Sequence, residues 1–312
     1  MFKRAFGSTG LMVSALGLGC NNFGRRLDLE KTRTVVDSAI EAGINFFDTA
    51  DVYGDRGGSE TLLGATLGSR RKDVILATKF GLPMDDEGRL AGGSRAYVFS
   101  AVEASLKRLK TEWIDIYYLH RPDPATPIEE TLGVLDELVR QGKVRFAGCS
   151  NLPGPQLADA MEVARRQKLA PFVAAQDEYN PLSREIEASL VPVIERLGIA
   201  LVPYFPLASG LLTGKYRKAE PIPAGTRLSD PRFSKRFVNE QNFAVVEQLA
   251  AFCAKRGRTM LELAFGWLLA RPYVASVIAG ATAPEQVRQN ADSLGWQLTA
   301  DEIAAVDRIT AR

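Results

Sequence analysis

The chain carries two alternating hydrophobic rhythms. Short runs that are apolar on consecutive positions recur at Leu16–Gly19, Ile44–Asp48, Val74–Lys79, Ile114–His120, Val144–Cys149, Phe172–Gln176, Ile199–Phe205 and Val274–Ala279. Strands buried on both faces read this way, whereas a strand with one wet face alternates apolar and polar. Between the runs, residues 31–42, 100–109 and 157–167 carry apolar side chains at helical spacing. Gly43 follows the first stretch as a C-terminal stop. Thr126-Pro-Ile-Glu-Glu130 opens a further helix, with proline in the first turn and acids near the positive end, and Gly142 closes it. Most strand-to-strand spacings are about 30 residues, the size of a βα unit. Eight such units predict an α/β fold, a (β/α)8 TIM barrel. A hairpin should precede it, from Phe2–Phe6 through a turn at Gly7-Ser-Thr-Gly10 to Met12–Ala15.

The repeat breaks once, between Phe205 and Val274. Two extra helices are expected there, at Glu240–Lys255 and Thr259–Ala270, after a stretch from Pro206 to Val238 rich in Pro, Gly, Ser, Lys and Arg. A long insertion after a barrel strand usually covers a ligand. Two more helices, Pro284–Leu294 and Ala300–Thr310, should end the chain. With no low-complexity or linker tract, residues 1–312 read as one barrel domain.

Composition narrows the function classes. The apolar fraction of 46% and charged fraction of 24% match a globular protein. The formal charge of +2, without a long basic run, does not suggest a nucleic-acid partner. The first residues lack the apolar core of a signal peptide, and no stretch approaches the roughly 18 apolar residues of a membrane span. Cys20, Cys149 and Cys253 are few and far apart, which argues against a disulfide framework and fits a reducing cytoplasm. With His120 as the one histidine and no carboxylate cluster at several strand ends, no metal site is expected.

The candidate chemistry sits where strands end. Ile44–Asp48 stops at an acid, with Tyr53 five residues on; Val74–Lys79 stops at a lysine; Ile114–His120 stops at the histidine. In a parallel barrel such ends converge on one face. Taken singly, Asp48 reads equally as a helix cap, Lys79 as a rim charge and His120 as a satisfied structural group. Together they are the equipment for moving a proton at an oxygen. An ammonium beside a phenol favours phenolate, an acid holds the ammonium charged, and an imidazole hydrogen-bonds a carbonyl. None of the four donates hydride, so a redox reaction here needs a cofactor, normally a nicotinamide.

Seven segments in order resemble the aldo-keto reductase family over nearly the whole chain, most closely the branch shared by bacterial aldo/keto reductases and potassium-channel β subunits. They are Gly43-Ile-Asn-Phe-Phe-Asp-Thr-Ala-Asp-Val-Tyr-Gly54, Ala77-Thr-Lys79, Asp115-Ile-Tyr-Tyr-Leu-His-Arg-Pro-Asp123, Gly142-Lys-Val-Arg-Phe-Ala-Gly-Cys-Ser-Asn151, Gln176-Asp-Glu-Tyr-Asn180, Pro203–Tyr216 and Gly280–Asn290. The resemblance implies a catalytic tetrad of Asp48, Tyr53, Lys79 and His120. Tyr53 would protonate the carbonyl oxygen, Lys79 would lower its pKa, Asp48 would hold Lys79, and His120 would orient the carbonyl. It implies reduction of aldehydes, ketones or sugars, or the reverse oxidation, by hydride from nicotinamide C4.

The same resemblance implies a dinucleotide laid across the barrel top. No Gly-x-Gly-x-x-Gly follows a strand and opens a helix, so a Rossmann site is not indicated. Gly19, Cys20, Asn21 and Asp48 would be among the cofactor-binding residues, Tyr204 would stack on the nicotinamide, and Ser150, Asn151 and Gln176 would hold its carboxamide. Tyr204 could instead be barrel-top packing. Phe205, Pro206, Leu207, Ser209, Gly210, Leu211 and Lys215 would meet the phosphates, with Arg227 either adding charge or remaining a solvated loop residue. Gly280, Thr282, Gln286, Gln289 and Asn290 would meet the adenosine end, where a helix N-terminus favours phosphate. Many family members grip the 2′-phosphate of NADP with a basic pair, which falls here on Gly280 and Gln286. Hydroxyl and amide contacts favour NADP(H) less strongly than charge would, and NAD(H) stays open. Phe205 also stands where a serine is common. The alternative is a regulatory nicotinamide-binding protein like the channel β subunits, which usually carry asparagine in place of His120. The expected state is a cytoplasmic monomer or small homo-oligomer with no membrane partner. Phe23, Phe80 and Tyr118 either face the substrate or pack the barrel.

Overall fold

A computed structural model describes residues 1–218 and 220–311. Eight parallel strands form one sheet: β3 (Leu16–Gly19), β4 (Phe46–Asp48), β5 (Ile75–Phe80), β6 (Ile114–Leu119), β7 (Val144–Ser150), β8 (Phe172–Gln176), β9 (Ala200–Leu201) and β10 (Val277–Gly280). The order is β10-β3-β4-β5-β6-β7-β8-β9. The two edges then meet. Leu201 donates its N–H to Tyr273 O and accepts from Ala275 N, and Ile278 N donates to Pro203 O. The sheet therefore curls into the expected (β/α)8 barrel, with helices outside.

Two apolar layers hold it together. Phe46, Ile75, Ala77, Ile116, Tyr118, Ala174 and Ala200 fill the lumen. Their strand neighbours Phe47, Leu76, Tyr117, Leu119 and Ala175 face outward onto Val35, Val98, Leu135, Leu157 and other helix residues. This period of two places Asp48, Lys79 and Gln176 on the lumen side at the last inward position of their strands, and His120 in the same register one residue past β6. Each strand spends its inner face on packing until the rim, where the inner position becomes polar.

The N-terminal hairpin, β1 (Lys3–Ala5) with β2 (Met12–Ser14), pairs antiparallel and covers the opposite end. Phe6 is fully buried against Phe46, ring centroids 5.8 Å apart. Arg4 donates to Leu269 O and Arg271 O at 2.6 and 3.0 Å.

The predicted helices are present with small shifts at their ends: Leu29–Glu41, Arg95–Leu109, Ile128–Arg140, Gly154–Gln167, Glu240–Ala254, Met260–Leu269, Pro284–Asp292 and Ala300–Ile309. The predicted Ile199–Phe205 run is a strand only at Ala200–Leu201, because Pro203 has no N–H to donate and the backbone beyond it bonds irregularly. The last strand is also shorter than Val274–Ala279, starting at Val277. Three helices had no sequence expectation: Tyr53–Leu67, Leu190–Leu197 and Pro231–Phe237. Phe23, Phe80 and Tyr118 are all fully buried, so they pack the barrel rather than face a substrate.

Candidate active site

The strand ends open onto a cleft of about 830 Å³ across the barrel mouth. Asp48, Tyr53 and His120 line it, with Lys79 fully buried just beneath. Lys79 Nζ donates to Asp48 Oδ1 at 2.6 Å and to Thr49 O at 2.8 Å. The other carboxylate oxygen of Asp48 accepts from Gln176 Nε2 at 2.8 Å. The ammonium lies 5.0 Å from the centre of the Tyr53 ring, and that ring meets His120 edge-on with centroids 5.7 Å apart. Four side chains distant in sequence thus form one cluster.

Tyr53 owes its position to an unusual turn. It starts a helix whose next four residues, Gly54 to Gly57, have positive φ. A Cβ on Gly54 would stand 2.4 Å from Phe23 O and 2.5 Å from Ser59 N, so only glycine fits there. Nearby, Asp51 N donates to Lys79 O at 3.1 Å, tying the turn to β5.

Burial sets the protonation of the cluster. Loss of solvent is the largest influence on Tyr53 and raises its pKa, and the Lys79 charge opposes that rise without cancelling it. Lys79 thus acts on the phenol in the direction the family resemblance implies, but burial outweighs it, and the phenol holds its proton at neutral pH. Burial presses the Lys79 pKa down, but Asp48 and Tyr53 together outweigh it and the ammonium stays charged. Burial, then the Lys79 and Arg121 charges, push His120 well below its ordinary value. The imidazole is neutral, with Nδ1 buried and unpartnered.

Around the cluster a second polar ring is tied up internally. Tyr204 donates its hydroxyl to Asn151 Oδ1 at 2.7 Å, and Asn151 Nδ2 donates to His120 O at 3.1 Å. Ser150 donates to Gln176 O at 2.8 Å. One flank of the cleft is the segment after β9. Ala208, Ser209 and Gly210 have positive φ there, and the Ser209 hydroxyl is buried without a partner. Arg227 lies between the Phe205 and Phe233 rings, 5.4 and 5.3 Å from their centres. Opposite, Thr282 N donates to Gln286 Oε1 at 2.8 Å where the helix Pro284–Asp292 begins.

Of the residues expected from sequence, Gly19, Cys20, Asn21, Ser150, Asn151, Gln176, Tyr204, Phe205, Pro206, Leu207, Ser209, Gly210, Lys215, Arg227, Gly280, Thr282, Gln286, Gln289 and Asn290 line this cleft. Leu211 does not; its side chain is fully buried in the core. Sequence reading missed Asn22, whose amide donates to Ala281 O at 3.2 Å, and the Glu178–Arg236 ion pair at 2.7 Å. It also missed Arg26 and Arg121, both on the cleft wall. Arg121 directly follows His120 in a quoted motif, and Arg26 lies in the loop after β3, so their positions were visible although their role was not.

A buried hydroxyl without a partner, positive-φ backbone and cations without carboxylates fit the diphosphate of a dinucleotide. Among the described residues, Lys215 and Arg227 form no ion pair. No cluster of His, Cys, Asp and Glu suited to a metal occurs among the described residues.

Comparison with known proteins agrees with this geometry. The model of the Aldo/keto reductase family matches residues 15–311. The chain is 35% identical over 305 residues to a protein described as a probable voltage-gated potassium channel subunit beta from Oryza sativa subsp. japonica, covering 94% of this chain and 91% of that one. A protein of the same description from Arabidopsis thaliana is also 35% identical, over 93% and 90% of the two chains. L-glyceraldehyde 3-phosphate reductase of Escherichia coli (strain K12) is 33% identical over 321 residues, covering 99% and 92%.

Proposed function

The chain belongs to the aldo/keto reductase family, and from that premise we propose an NAD(P)H-dependent oxidoreductase that reduces aldehydes or ketones, or oxidises the matching alcohols or sugars. The observation that carries the reading is the buried Lys79 ammonium held between Asp48 and the Tyr53 ring. A structural ion pair has no need of a phenol beside it at the mouth of a cleft.

A bound reduced nicotinamide would supply hydride to the carbonyl carbon. Tyr53 hands its proton to the carbonyl oxygen, and its raised pKa keeps that proton available at neutral pH. The phenolate left behind is stabilised by Lys79, whose charge Asp48 maintains. Neutral His120 donates one hydrogen bond to the same oxygen and orients it. Tyr204 presents a ring face for the nicotinamide. Ser150, Asn151 and Gln176 would hold its carboxamide, while Ser209, Lys215 and Arg227, all on the wall of the cleft, would hold the diphosphate. The hydroxyl and amides of Thr282, Gln286, Gln289 and Asn290 favour NADP(H), with NAD(H) as the competing cofactor. Three buried free thiols, Cys20, Cys149 and Cys253, support a reducing, cytoplasmic setting for this reading.

Replacing Tyr53 with phenylalanine tests the chemistry. Reduction of 4-nitrobenzaldehyde by NADPH should fall by roughly 10²–10⁴-fold, the usual worth of a positioned acid, while cofactor affinity changes only a few-fold. A variant keeping most of its rate would remove Tyr53 from the mechanism. The likeness to the two plant channel subunits supports a second reading, nicotinamide binding in a regulatory role. Tight NADPH binding with no turnover across a broad carbonyl panel would favour it.

A further inference from the structure

Tyr53 reaches the cluster from the helix Tyr53–Leu67, whereas Asp48 and Lys79 stand on β4 and β5. That helix must be fixed against those strands, because a misplacement of about 1 Å at a reacting group can cost roughly 10²-fold in rate. The four residues after Tyr53 have positive φ, so no regular helical turn supports it directly. The fastening lies beyond that turn, at Ser59 and Glu60, both fully buried.

Successive strand residues face opposite sides, so the neighbours of Asp48 and Lys79 turn outward. Those neighbours, Thr49 and Thr78, grip the helix. Thr78 Oγ1 donates to Glu60 Oε1 at 2.5 Å. Ser59 donates to Cys20 O at 2.8 Å, which leaves Thr49 as the donor in the 2.8 Å contact between the two hydroxyls. Thr49 O also accepts from Lys79 Nζ at 2.8 Å, so the grip and the ammonium share a residue. The other Glu60 oxygen accepts from Arg108 Nε at 2.7 Å. Arg108 lies against the turn itself: a Cβ on Gly57 would stand 2.6 Å from Arg108 Cδ. A buried ion pair adds little stability over apolar packing of the same volume. What this one adds is direction, since each bond fixes the helix at one place along β4 and β5.

We propose that Ser59, Glu60 and Arg108 are positioning residues, which act through Thr49 and Thr78 to hold the Tyr53 phenol at its distance from Lys79. None of the three lines the cleft. The inference rests on the reductase reading above and deepens it. The same two strands carry the acid and the ammonium on their inner side and clamp the carrier of the phenol on their outer side.

Thr78→Val, Ser59→Ala and Glu60→Gln each loosen one part of the grip. Each should lower kcat for reduction of 4-nitrobenzaldehyde by about tenfold, with the NADPH Kd unchanged within about twofold. The decisive readout is the pH profile of the reverse reaction, 4-nitrobenzyl alcohol with NADP+, in which the Tyr53 phenolate is the base. Burial raises the Tyr53 pKa and Lys79 lowers it. A phenol held less closely to Lys79 therefore titrates at higher pH, and the rising limb of kcat should move up in the variants. Arg108→Lys should keep more of the rate than Arg108→Gln. Thr78→Val leaves the Glu60–Arg108 pair in place, so it carries the test should Glu60→Gln fail to fold. Variants that lose Tm but keep kcat and the parental limb would overturn the positioning role and leave the reductase standing. A parent enzyme that binds NADPH yet turns over neither the aldehyde nor the alcohol would overturn both.

Discussion

Asp177 lies next to Gln176 in the wall of the site, yet its own carboxylate is buried, with Oδ2 unpartnered. Loss of solvent raises its pKa to about 8, against an ordinary 3.8. Between those values the folded chain holds a proton that the unfolded chain has released. Stability from this group is therefore full below pH 3.8 and declines as pH rises towards about 8. Asp177→Asn keeps the acceptor oxygen and removes the charge. It should be more stable than the parent at pH 9, by up to a few kcal/mol and several degrees in Tm, and gain little at pH 4. Thermal unfolding at the two pH values measures this, and an equal shift at both would contradict it. Lys79 shows the opposite arrangement: equally dry, but with Asp48 and Thr49 O as partners it stays charged. At this scale the sequence was informative about identity but not about environment. The strand-end positions of Asp48, Lys79 and His120 could be read from periodicity. That burial outweighs Lys79 at the Tyr53 phenol could not, since desolvation depends on residues from many segments.

Strands read more cleanly than connections. Eight apolar runs matched eight strands because a strand buried on both faces has no alternative use for such a run. The helix that carries Tyr53 went unseen because Gly54, Gly57 and Gly58 break its helical pattern, and the left-handed turn over residues 54–57 is what swings the phenol to the mouth. The segment after β9 was visible as an insertion, but its fastenings were not. Two polar contacts hold it across the cleft, Arg236 to Glu178 and Arg26 to Gly225 O. With cofactor beneath it, this segment should control release. Glu178→Ala should raise the NADPH Kd about three- to tenfold, mainly through a faster off-rate, because it leaves Arg236 without its partner. Stopped-flow displacement of NADPH reads this directly, and an unchanged off-rate would show that the contact does not restrain the segment.

Across the whole molecule, chemistry and closure occupy opposite ends of the barrel. The hairpin of β1 and β2 covers one end with Phe6 against Phe46, while every candidate reacting group gathers at the other. Phe6→Ala should destabilise the fold by about 3–5 kcal/mol through the cavity it leaves, while the enzyme that stays folded keeps its kcat within about twofold. Denaturant titration and a rate assay well below the melting range test the two halves separately; a large fall in kcat with stability intact would link the two ends. The family model covers the barrel from residue 15 to 311, and the Escherichia coli relative aligns over 99% of the chain, so the likeness extends well beyond the mouth. With its base stoppered by the hairpin, the barrel keeps its chemistry at the far rim, so the loops that shape the groove there can change without disturbing what plugs the bottom.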